Sequence, residues 1–600
     1  MQTAAFCALN HPLPDYIPTF LRLVEGDENQ KIRAMKQKEQ SYAGIHQREF
    51  LDIPGAPLAY WVGEATRKAF SDETPLAELS KPRQGLATSD NGRFLRLWHE
   101  VSYNRIGFNF TSRETAKQSG KRWFPCQKGG AARRWYGNHD WLVNWENDGK
   151  ELLSYAAELY GSPTRTIKNM TFYFREGITW STISTAAFAM RYCPTGFISE
   201  TKGAVCFFED RASLFQTLAL TNTKLVDYFL KILSPTLDYH EGPVGRLPVK
   251  HGLGLKPAEL AQLAIEIAKS DWDSFETSWD FKTFPWASPP LLVSSMGASW
   301  KAWSERNASQ VTRLAGIEGE INAIFISAYG LEGELTPEVA EDQITLTRSN
   351  READCKRLVS YAVGCMMGRY SLDEPGLVYA DAGNIGFDPT RYKTFPADSD
   401  GIVPMTDELW FEDEAALRVS EFVKTVWGSD HHEENMAWLA ESLGAKNGET
   451  PDETVRRYLA TSFYKDHLQT YKKRPIYWLF TSGKLGAFGA LVYLHRYHEG
   501  TLSRMRSEYV VPLLSKYLDR IEMLQRDAEA ATSAAARTKI QKRIDGLRKK
   551  HHELVGFEER LRHLADSRIA LDLDDGVKAN YGKFGDLLAE IKAITGGSEE

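Results

Sequence analysis

Between residues 81 and 255 the chain is punctuated by glycine and other turn residues. The segments LRLWHEV, WLVNW, MTFYF, GITWSTI, FAMRYCPTGF and AVCFFED alternate or run apolar for five to eight residues. That pattern predicts a curved, mostly antiparallel, β-rich module. The stretch SLFQTLALTNTKLVDYFLKIL (213–233) has apolar residues at helical spacing. It predicts one helix closing the module, stopped at Ser234-Pro235. Upstream, the first 80 or so residues mix polar loop with short amphipathic pieces, and PGAPLAYW (54–61) reads as a turn leading into a strand.

Beyond about 255 the periodicity becomes helical, as in PAELAQLAIEIAKSDWDSFETS and EGEINAIFISAYGL. From Tyr517 to Leu564 the chain is strongly charged. Its apolar or small positions are Ile521, Leu524, Ala528, Ala531, Ala535, Ile540, Ile544, Leu547, Leu554, Leu561 and Leu564. Their spacing predicts a coiled coil or helical hairpin, with the alanine-rich 528–536 as a close-packing point. The fold class expected is therefore α+β, a β-rich domain followed by an α-helical C-terminal region. We divide it into 1–80 as a connector, 81–255 as the β-rich domain, 256–470 as a mostly helical middle and 471–600 as a helical end.

The chain has 600 residues, 42% hydrophobic, which suffices for several cores. No run approaches a membrane span and the opening MQTAAFCALNHPLPDY lacks the features of a secretory signal, so a cytoplasmic protein without a membrane partner is expected. The six cysteines are scattered and form no CxxC pair, which argues against a disulfide framework or a zinc ribbon.

Charge changes the picture most. The whole chain is formally −7, yet residues 81–150 hold thirteen Lys/Arg against six Asp/Glu. Within KRWFPCQKGGAARRWYGNHDWLVNW (121–145), cations and large aromatics alternate around a Gly-Gly turn. Lys121, Arg122, Lys128, Arg133 and Arg134 can neutralise phosphates. Trp123, Trp135, Tyr136, Trp141 and Trp145 offer flat faces to bases. Nucleic acid is the natural partner of such a surface. The alternative is a subdomain whose Trp and Tyr are core and whose arginines lie over it.

Enzymatic signatures are missing from this sequence. An exocyclic-amine methyltransferase needs a glycine-rich cofactor loop and an Asp or Asn followed by Pro-Pro-Tyr or Pro-Pro-Phe. Ser288-Pro289-Pro290-Leu291 lacks the acceptor and the ring, and Asp388-Pro389-Thr390-Arg391 lacks the second proline and the ring. There is also no GxxxxGK[ST], HExxH or GxSxG. The acidic-aromatic DWDSFETSWDF (271–281) reads as a segment that caps a helix and pins it against a neighbour.

Six runs together carry a resemblance: GLATSDNGRFLRLWHEV, KRWFPCQKGGAARRWYGN, GITWSTISTAAFAMRYCPTGF, DWDSFETSWDF, SYAVGCMMGRYSLDEPGLVYADAG and YKKRPIYWLFTSGKLGAFGALVYLHRYHEGTLSRMR. In sequence and order they resemble the PglX family, the adenine-specific DNA methyltransferases of BREX phage-defence systems. Members are about twice this length, so the chain resembles their C-terminal half. The resemblance implies that 81–255 is a DNA target-recognition domain. Arg93, Arg96, Lys121, Arg122, Lys128, Arg133, Arg134 and Arg191 would then hold phosphate or read guanine edges, Asn138 would contact adenine, and Trp123, Trp135 and Tyr136 would belong to the DNA-binding set. Trp135 and Tyr136 would either stack or lie buried beneath the arginine pair.

No cofactor is expected in this chain, and S-adenosylmethionine is expected in a missing N-terminal catalytic half. Expected partners are double-stranded DNA and that half or other BREX proteins. Residues 1–80 would pack on the catalytic half, an exposed apolar face is expected where it docks, and a homodimer could cover that face instead. The alternative is a non-enzymatic DNA-binding or scaffold protein of a phage-defence complex.

Overall fold

The computed structural model describes residues 6–596 apart from 12, 14, 15, 40, 235 and 237. The protein is α+β, with small sheets set among many helices. Eight strands form the two larger sheets: β1 (Lys81–Arg83), β2 (Leu95–Leu97), β3 (Trp123–Gln127), β4 (Trp141–Asn144), β5 (Gly177–Ser181), β6 (Met190–Cys193), β7 (Ile198–Ser199) and β8 (Gly203–Phe207).

One sheet has the order β7-β3-β4-β2, with Cys126 opposite Trp141 and Leu95 opposite Val143. Its β7–β3 pair is parallel and its other pairs antiparallel. The second, wholly antiparallel, has the order β1-β8-β5-β6, with Val205 between Arg83 and Thr179. The inner strands β3 and β8 are buried along their whole length, which explains the continuous apolar run AVCFF of β8. The sheets are tied by single bridges, Trp135 to Arg191 and Leu86 to Glu200.

Several sequence expectations change here. Within the predicted strand MTFYF, Met170–Phe172 is instead a 3-10 turn, and Pro54–Trp61 is a turn without a strand. The single helix expected over 213–233 is two, α1 (Arg211–Thr221) and α2 (Lys224–Leu233), because the Thr223 hydroxyl accepts from the Val226 N–H and caps a new start. Ser234 follows α2, and Pro235 of the predicted stop lies outside the described residues. Both helices pack with α3 (Lys256–Trp272) and α4 (Met296–Ala328) in one core that runs from Ile53 to Leu346.

A second, larger core holds α5 (Arg351–Met366) and a sheet of order β9-β11-β10, built from β9 (Ile402–Pro404), β10 (Tyr477–Thr481) and β11 (Gly489–Tyr493). Against it lies a helical hairpin, α6 (Val511–Ala530) and α7 (Ala534–Asp566). Ile521, Leu524, Ile544, Leu547, Leu554 and Leu561 are buried along it, as the spacing predicts. The alanine-rich stretch is not a close-packing point: Thr532–Ala536 is exposed at the hairpin's tip, where small residues suit a tight reversal.

The acidic-aromatic segment pins α3 to its surroundings. Asp273 accepts from Lys269 at 2.6 Å and from Ser278 at 2.7 Å, while Trp279 stacks on His139. Five of the six cysteines are buried thiols and Cys7 is exposed. No helix among the described residues is long and apolar enough to cross a membrane.

Candidate nucleic-acid interface

The cation-aromatic stretch folds as β3, a glycine turn, an irregular loop and β4. The turn requires its glycines: Gly129 and Gly130 sit at φ +79° and +142°. A Cβ on Gly129 would stand 2.6 Å from the Lys202 carbonyl oxygen, and one on Gly130 would stand 2.9 Å from the Asn138 amide.

Behind the turn, most of the cations meet carboxylates from remote parts of the chain. Arg133 pairs with Asp271, donates from Nε to the Tyr136 carbonyl at 3.0 Å and lies over the Trp272 ring. Arg134 pairs with Glu318, whose other oxygen accepts from Trp135 Nε1 at 2.8 Å. Burial pushes the Glu318 carboxyl up, and the Arg134 guanidinium opposes that shift. Trp135 is fully buried at φ +71°, an unfavourable backbone for an aromatic residue. It is held there by the Trp135 N–H to the Met190 carbonyl at 3.0 Å and the Tyr192 N–H to its own carbonyl at 2.8 Å.

A second convergence surrounds Asp574. Its carboxylate accepts from Arg105 at 2.9 Å, Arg122 at 3.2 Å and Trp123 Nε1 at 2.6 Å, and its carbonyl accepts twice from Arg96. Arg96 also lies over the Trp123 ring, and burial lowers its pKa. Arg93 pairs with Glu151 at 2.8 Å, and the Lys121 ammonium donates to the Asn104 carbonyl. Asn138 is buried and donates to the Ala131 carbonyl at 2.9 Å, shaping the loop from within.

Tyr136 is buried under the Lys269 ammonium, and burial pushes its hydroxyl up to about 12. Of the two placements left open for Trp135 and Tyr136, the structure gives the buried one. Arg191 on β6 is 1% exposed and its pKa is lowered to about 10 by burial. Its Nε and Nη2 have no hydrogen-bond partner among the described residues.

What faces solvent is a rim of loop tips where the two sheets meet. Lys128 is half-buried, resting over the Trp141 ring at 4.5 Å, and Gly130–Ala132 are exposed beside it. The 183–187 loop and Lys202 are adjacent, because Ser181 Oγ donates to the Gly130 carbonyl at 3.0 Å and the Thr182 N–H to the Lys202 carbonyl at 3.1 Å. Glu200, the nearest acid, turns inward to accept from the Lys202 N–H at 2.6 Å and from the Thr201 hydroxyl. Small side chains, hydroxyls and two ammonium groups at one edge suit close approach to a phosphate backbone. Sequence reasoning missed Lys202 and the Ser/Thr-rich 181–187 loop; the signal was their position at the turns entering β8 and leaving β5.

Compared with known proteins, the chain is 43% identical to the adenine-specific methyltransferase BrxX of Escherichia coli O9:H4 (strain HS), over 100% of this chain and 50% of that protein. It is 36% identical to the adenine-specific methyltransferase PglX of Lacticaseibacillus casei (strain Zhang), over 99% of this chain and 50% of that protein. The chain is similar to one half of BrxX and of PglX. It spans about half the length of these two curated relatives. No protein-family model matches it.

Proposed function

We propose that this chain is the DNA target-recognition and C-terminal part of a site-specific adenine DNA methyltransferase of the BREX phage-defence type. Methyl transfer needs an N-terminal catalytic half that binds S-adenosylmethionine. The observation that carries this reading is the full-length match to half of two adenine-specific methyltransferases, in a sequence without a cofactor loop or an Asp/Asn-Pro-Pro-aromatic motif.

The geometry favours a division of labour among the basic residues. Lys128 and Lys202 at the rim hold phosphates, with Lys121 and Arg93 on the flank. Arg96, Arg122, Arg133, Arg134 and Arg191, with Trp123, Trp135, Tyr136 and Asn138, fix the loops that carry the rim. Arg133 and Arg134 therefore make a poor test of DNA contact, because removing them leaves Asp271 and Glu318 without their cations.

The test is incorporation of labelled methyl groups from S-adenosylmethionine into double-stranded DNA. The chain alone is expected to transfer none. Co-expressed with a polypeptide matching the remaining half of the Escherichia coli relative, it is expected to methylate adenine. Incorporation by the chain alone, or none by the assembled pair, overturns the reading.

A further inference from the structure

The apolar surface of this protein is unevenly distributed. Among the described residues twenty-three large hydrophobic side chains are exposed, and ten of them lie between residues 6 and 58, under a tenth of the chain. Phe6 and Leu9 are 85% and 75% exposed, and Ile32 and Met35 follow in the helix Glu28–Gln37.

That helix is well made yet buries nothing. Asp27 and Gln30 form a reciprocal capping box at 2.8 and 2.9 Å, and Lys38 closes the other end in the left-handed region. None of its ten residues is buried. Ten residues are too few for a stable helix in water by propensity alone, and helices in proteins draw their stability from an apolar face packed on something. Ile32 and Met35, three residues apart, share one such face.

The base of this arm is anchored. Phe20, on the strand Thr19–Leu21 paired with Ser41–Ala43, stacks on Tyr60 at 4.4 Å. The Arg22 guanidinium lies over Trp61 at 4.0 Å, and Ile53 and Val62 enter the first core. A rooted arm that exposes this many large apolar side chains is a docking element, since such exposure concentrated in one short segment marks an interaction site.

We propose that the arm, with Leu9, Ile32 and Met35 at its centre, docks on the methyltransferase half of the assembly, a polypeptide presenting an apolar patch with an acidic rim. This rests on the reading of the preceding subsection. The curated relatives are twice as long as this chain, so a polypeptide of similar size is available to cover the face. Lys31, Arg33 and Lys36 flank Ile32 and Met35, which sets the complementary rim as acidic.

The experiment co-expresses the full chain with the polypeptide matching the remaining half of the Escherichia coli relative and measures association by analytical ultracentrifugation. The wild-type chain is expected to form a one-to-one complex. The Leu9→Glu/Ile32→Glu/Met35→Glu variant is expected to bind about 100-fold more weakly or less. Its own thermal midpoint stays unchanged, since the three side chains are exposed in the chain alone. A control variant, Leu485→Glu/Leu518→Glu, also at exposed apolar positions, keeps wild-type affinity.

Equal binding by the triple variant overturns the docking surface. So does failure of the wild type to associate, or a wild-type homodimer that the triple variant dissolves. An arm-dependent complex that leaves DNA unmethylated overturns the functional reading and leaves the docking surface standing. A methylating complex indifferent to the arm does the reverse.

Discussion

Replacing Asp574 by alanine is expected to lower the unfolding free energy by about 3 kcal/mol, the scale for removing one partner of a buried, hydrogen-bonded charge cluster. The side chain of Asp574 is 11% exposed and serves Arg105, Arg122 and the Trp123 indole together, so its loss leaves the buried Trp123 indole without an acceptor and Arg122 with only Glu151 at 3.9 Å. Arg105 is 44% exposed, and its share is screened by water.

The surroundings cannot collapse to compensate. Asp574 sits on the turn Leu573–Asp575, capped by Asp572, and Gly576 follows at φ +81° with Arg96 2.7 Å from where its Cβ would stand. The next turn is tied independently, because Glu100 accepts from the Val577 N–H and from the Leu97 N–H, both at 2.9 Å. Asp574→Asn keeps an acceptor for Trp123 without the charge, and is expected to lose about half as much. Urea unfolding, with hydrogen exchange read at β2 and β3, checks both values. A loss under about 1 kcal/mol for the alanine variant would show that the segment is not a staple.

Acidification is the second large effect. His139, His467 and His495 are buried, and burial lowers each ring to about 3. His467 Nε2 accepts from two backbone N–H groups, of Ile476 and Tyr477 at 3.1 Å, which a proton there would oppose. Rings with a depressed folded pKa contribute stability that is whole above the unfolded value near 6.5 and is lost as pH falls toward the folded value.

Between pH 7.5 and 5.5 each ring costs about 1.4 kcal/mol, or about 4 kcal/mol for the three. Asp400 works the other way. Its carboxyl is pushed up to about 7 by burial and by Asp398, and protonation over the same window relieves about 2 kcal/mol. The three rings outweigh Asp400, so the expectation is a protein less stable at pH 5.5 than at 7.5, with buried carboxyls that burial raises, such as Glu318 and Glu276, offsetting part of the loss. Denaturant midpoints that stay flat or rise across that window would contradict it.

The legible parts of the fold are those encoded locally. β5 and β8 announce themselves as apolar runs that open on a glycine, and the hairpin seam from Ile521 to Leu561 follows helical spacing. What the sequence concealed is set by distant partners. A window around 121–136 shows cations outnumbering acids, but Asp271, Glu318 and Asp574, which neutralise them, lie about 140 to 450 residues further on. For the same reason Trp135 reads as a free aromatic face, although Glu318 holds it in the core.

Local chemistry was also misread where one residue decides. Thr223 splits a continuous helical pattern by capping, and MTFYF carries strand residues while Met170–Phe172 turns after Asn169 at φ +56°. The exposed rim is faint in the sequence because its side chains are small, and only the folded sheets bring Lys128 and Lys202 to one edge.

Binding of the purified chain to double-stranded DNA across a salt series, wild type beside Lys128→Ala/Lys202→Ala, tests the recognition role most directly. Affinity of the wild type is expected to fall linearly with salt on logarithmic axes. In the double variant the slope is smaller by about 2, at unchanged thermal stability. A slope unchanged by the two substitutions, or DNA binding that is absent at low salt, would contradict it.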